Sequence, residues 1–72
     1  MKKMYRLTIH FETLYTHEKE QKIEYTESRD SALRAFSIYI ENPEVKFCSI
    51  DIVSKENDFC KKIIACYTDE RG

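Results

Sequence analysis

Seventy-two residues are enough for one compact domain, 1–72, and leave no room for a second. A hydrophobic share of 42% beside a charged share of 35% excludes a disordered tail. A net charge of −1 lacks the basic excess that a general nucleic-acid binder carries.

The chain opens on a strand pattern over residues 4–15. Tyr5, Leu7, Ile9, Phe11 and Tyr15 alternate with Arg6, Thr8, His10 and Glu12, which predicts one buried and one wet face. The polar stretch 16–20 fits a hairpin connection, and residues 21–27 alternate again, with Ile23 and Tyr25 set against Lys22, Glu24 and Thr26. Placing the charged row of this second strand on the wet side puts Lys22 on one surface with Arg6 and His10.

Residues 29–41 then switch to a helical period. Ala32, Leu33, Phe36, Tyr39 and Ile40 fall on one face, Ser28 is the expected N-cap, and Asp30 suits the positive end of the helix. Pro43 ends the element, because it restricts Asn42 and has no amide hydrogen to give.

Residues 45–53 and 59–67 form a second predicted hairpin across the polar connection 54–58. The element order is therefore β-β-α-β-β. If both hairpins are antiparallel and the helix makes a right-handed crossover, the strands lie in the order 2-1-3-4. The expected fold class is α+β, a four-stranded antiparallel sheet with one helix on one face.

The second hairpin carries apolar residues at both parities. Cys48, Ile50 and Ile52, with Phe59, Ile63 and Ala65, are assigned beneath the helix, which leaves Val45, Phe47, Ile64 and Cys66 facing away from it. One helix covers one face, so these four are the expected interface with another protein or with a second copy of the chain.

No constellation for catalysis stands out, and no catalytic residue is assigned. His10 and His17 have no second His or Cys nearby in sequence, so no metal site is expected. A thiolate nucleophile opposite His10 is disfavoured because Cys48, Cys60 and Cys66 lie in apolar rows, where burial raises a thiol pKa. There is no Gly-rich phosphate loop, and no cofactor is expected. The longest apolar run, 63–67, is far too short for a membrane span, and three cysteines without a pairing pattern suggest reduced thiols in the cytoplasm.

The expectation is a small non-enzymatic protein-binding or inhibitor module, working as a homodimer. Its Lys, Ile, Glu and Tyr content suits a phage or other mobile element of an AT-rich host. The alternative is a nucleic-acid-binding or regulatory module that uses Arg6, His10 and Lys22.

Overall fold

The computed structural model describes residues 3–54 and 60–69. The expected connection at 55–58, Phe59 and the last three residues lie outside the described residues. The elements are β1 (Lys3–Glu12), β2 (Lys19–Thr26), α1 (Arg29–Tyr39), β3 (Val45–Ser54) and β4 (Cys60–Thr68). They build one antiparallel sheet in the order β2-β1-β3-β4, with α1 packed on one face, as the sequence predicts.

β1 ends at Glu12, three residues before its predicted end. Thr13 turns the chain: its amide donates to the Glu18 carbonyl at 2.9 Å, and its hydroxyl accepts the Glu18 amide at 2.9 Å. His17 takes the left-handed conformation, φ 58°, that closes the turn in the absence of a glycine. Its Nδ1 lies 3.0 Å from Glu12 Oε2, and this contact is the main reason that the Glu12 carboxyl titrates below its ordinary value. Tyr15, expected in the strand, stands out at the tip at 94% exposure.

This turn sets Glu12 opposite Lys19, and the whole β1–β2 register is fixed by it. Even-numbered residues of β2 therefore share a face with odd-numbered residues of β1. Lys22 and Glu24 lie on the helix side, opposite Ile9 and Leu7, while Ile23 and Tyr25 are turned to the other side. A one-residue slip inverts every side chain of a strand, and here it overturns the predicted placement of Lys22 beside Arg6 and His10.

The helix is held at both ends. Ser28 Oγ accepts the Ser31 amide at 3.2 Å, as the N-cap should. At the other end the chain turns at Asn42 and Pro43, where the Asn42 carbonyl accepts the Val45 amide at 3.0 Å and Asn42 Oδ1 the Glu44 amide at 2.9 Å. Ala32 is fully buried, and Ala35, Phe36, Tyr39 and Ile40 pack on the sheet. Leu33 departs from the predicted stripe and sits at the exposed rim.

Three one-residue shifts in register decide which side chains go inside. Between β1 and β3, Phe47 pairs with His10 but Val45 with Phe11, so Lys46 is the extra residue. Between β3 and β4, Ala65 pairs with Ile50 but Ile63 with Asp51, so Ile64 is extra; a second shift makes Lys61 extra. Each extra residue swaps the parity of the strand beyond it. Val45 thus joins Cys48 and Ile50 beneath the helix, and Ile63 leaves the row of Ala65 and Tyr67.

Two placements from the sequence are corrected on this ground. Val45 is a fully buried core residue and not part of an outward surface. Ile64 packs against the core cluster from its bulge, whereas Ile63, assigned inward, is 61% exposed on the opposite face. The core that results is Leu7, Ile9, Ala32, Val45, Cys48 and Ile50. Tyr39 ties its rim to β2: its hydroxyl donates to Glu24 Oε2, which also meets Lys22 Nζ at 3.0 Å.

Candidate interaction surface

The face of the sheet away from α1 is organised in rows that cross all four strands. One row reads Tyr25, Arg6, Asp51, Ile63; the next reads Ile23, Thr8, Ser49, Cys66; a third reads Gln21, His10, Phe47, Thr68. Among the described residues no element packs over these rows.

At the centre, Arg6 Nη2 donates to Asp51 Oδ2 at 2.8 Å. Asp51 is only 7% exposed and Ser49 is buried beside it, although both lie on the open side. The Arg6–Asp51 pair is therefore well shielded from water, which makes the loss of either partner costly.

The flanks are different. Tyr25 is 49% exposed, Ile23 44%, and Ile63 more than either. Phe47 lies against His10, with ring centroids 5.0 Å apart and planes inclined by 38°. A groove of about 400 Å³ opens at that end of the sheet, lined by His10, Phe47, Lys46 and Gln21 among others. Its polar groups point to no single ligand chemistry, and Lys46 is already engaged with Asp69 at 3.5 Å.

Of the four residues expected at an interface, Phe47 and Cys66 lie on the open face, while Val45 and Ile64 do not. Of the three expected to meet nucleic acid, Arg6 and His10 share the open face and Lys22 is on the other side, above Ile9, with its ammonium 5.8 Å from the Tyr39 ring centroid. Ile23, Tyr25 and Ile63 are open-face residues that simple alternation puts inside. The unbroken run Ile63-Ile64-Ala65-Cys66-Tyr67 is the visible warning, since strict alternation cannot accommodate it and a bulge can.

The thiols divide between the faces. Cys48 lies beneath the helix, and burial pushes its pKa up to about 11. Cys66 is exposed on the open side, contrary to the expectation of uniformly buried thiols; both are free. The expected burial of Cys60 concerns a side chain outside those described. His10 and Cys48 stand on opposite faces and are not brought together. Among the described residues, no helix is long and apolar enough to cross a membrane.

Comparisons with protein-family models, with curated proteins and with solved structures found no match to this chain.

Proposed function

We propose that this chain is a non-enzymatic protein-binding module, of the kind that acts by occupying a partner, and that its working surface is the open sheet face. The observation that carries this reading is the set Ile23, Tyr25, Phe47 and Ile63, large apolar side chains on a face that no described element covers. Apolar flanks with a tyrosine at one edge suit contact with another protein, because such side chains contribute large areas at low entropic cost. The free thiols Cys48 and Cys66 support a reducing compartment such as the cytoplasm.

The nucleic-acid alternative draws support from Arg6, His10, Tyr25 and Phe47 on one face. It is weakened by the net charge of −1 and by Asp51 beside Arg6. The test compares protein captured from lysate by the native chain and by a Tyr25→Lys, Ile63→Lys variant of unchanged circular dichroism. Partners held by the native chain and lost by the variant are expected; equal capture by both overturns the reading. Binding of a single-stranded oligonucleotide that falls steeply with salt would replace it with the alternative.

A further inference from the structure

The rows of the open face have an order that is complementary to its own reverse. Read from β2 to β4, the central row runs apolar, positive, negative, apolar: Tyr25, Arg6, Asp51, Ile63. The row beside it runs Ile23, Thr8, Ser49, Cys66, with apolar or weakly polar flanks around two hydroxyls. We propose that the occupant of this face is a second copy of the chain, docked face to face about a two-fold axis parallel to the strands and above the β1–β3 seam. The proposal rests on the protein-binding reading and names its partner.

Such an axis lays each row over its own reverse. Tyr25 then meets the partner's Ile63, Arg6 lies over the partner's shielded Asp51, and Ile23 meets the partner's Cys66. The two salt bridges become a square of alternating charges enclosed by apolar flanks. Two sheets packed face to face lie about 10 Å apart, close enough for these side chains to touch. A two-fold axis in the same plane but across the strands, along this central row, would instead set Arg6 over the partner's Arg6 and Asp51 over the partner's Asp51. Like charges opposed in a shielded interface are strongly unfavourable, so the charge order selects the first axis over the second. Because a two-fold contact uses the same patch on both copies, a patch antisymmetric in charge about its midline is what such a contact requires.

The geometry can be tested with the thiol already present. In the second row, Ile23 lies on one flank and Cys66 on the other. The chain carrying Ile23→Cys with Cys60→Ser is treated with a short bismaleimide, beside the native chain and an Ile23→Cys, Cys60→Ser, Cys66→Ser control. The expected result is a native chain that sediments as a dimer and gives no cross-link, since its Cys66 residues sit on opposite flanks. Ile23→Cys should be captured as a covalent dimer joined from position 23 to Cys66, and the control should lose it. Tyr25→Lys with Ile63→Lys should weaken the dimer about tenfold or more while keeping the native circular dichroism. A native chain that is monomeric at high micromolar concentration overturns the second copy as occupant, while the lysate comparison continues to test protein binding. A dimer linked from Cys66 to Cys66, or from position 23 to position 23, or not linked at all, overturns the axis.

Discussion

The two faces of the sheet are made from the same strands and solve opposite problems. Beneath α1, the central positions are Leu7, Ile9, Cys48 and Ile50, all apolar and closed to water. On the other side the two middle rows have Arg6, Thr8, Ser49 and Asp51 at their central positions, with Tyr25, Ile23 and Ile63 on the outer strands. The first arrangement is that of a core, with burial greatest at the middle. The second places a charge pair at the middle and exposed apolar side chains at the two outer strands. A domain of this size concentrates its stability in one face, and the other is left to be shaped by what it meets.

The widest separation between the faces should appear in thiol chemistry. Cys66 is exposed, whereas Cys48 is buried with its pKa pushed up to about 11. Native-state labelling should modify Cys66 faster by on the order of a hundredfold, with the two rates converging in denaturant. Equal native rates would mean that the helix does not seal its face.

Stability should divide in the same way. Ile9→Ala or Ile50→Ala should cost about 2–5 kcal/mol in urea unfolding, comparable to the net stability of so small a domain. Ile63→Ala on the open flank should cost about 0.5 kcal/mol or less. Similar losses at the three positions would erase the contrast. Between these extremes lies the shielded pair: Asp51→Ala should cost on the order of 3 kcal/mol by removing the carboxylate to which Arg6 Nη2 donates, and adding Arg6→Met should recover part of that loss. A double-mutant cycle with no coupling would show that the salt bridge contributes nothing.

A modest effect belongs to the helix rim. Tyr39→Phe should cost about 1 kcal/mol by removing the hydrogen bond to Glu24. That bond, with a smaller contribution from Lys22, holds the Glu24 carboxyl below its ordinary value of 4.5. Its contribution is complete above about 4.5 and is lost as pH falls through the lower folded value, so Glu24→Gln should flatten the acid limb of the stability curve. The Tyr39 hydroxyl is pushed above its ordinary 10.0, chiefly by burial, so its contribution fades in alkali as pH rises through the folded value. An unchanged acid limb in Glu24→Gln would remove the anchor between β2 and α1.

Local chemistry is the part of this fold that is legible in the sequence. Ser28 capping α1, Asn42 and Pro43 ending it, and the strand order all come from short-range preferences and connection rules. The faces are less legible, because a single residue reverses them. Lys46 as an extra residue carries Val45 into the core, and Ile64 as another carries Ile63 out of it. The unbroken apolar run 63–67 warns of the second shift without fixing its position, and the first has no local signature, because each depends on which partner residue wins the pairing. The register of β2 likewise depends on how Thr13 and His17 close a turn without glycine, and that geometry decides whether Tyr25 or Glu24 faces the helix.

The two shifts along β4 have a consequence beyond the placement of Ile63. Both outer strands present backbone groups to solvent, and β2 is a regular edge whose pairing with β1 runs unbroken from Tyr5 to Glu12. Had β4 been equally regular, one molecule's β4 could accept the next molecule's β2, and strand addition would repeat without closing. The extra residues at 61 and 64 break the spacing of hydrogen-bonding groups on that edge, so no long ladder can zip onto it. Lys19, Lys22 and Glu24 charge the opposite edge. The bulges on one edge and the charges on the other thereby oppose edge-to-edge growth of the sheet.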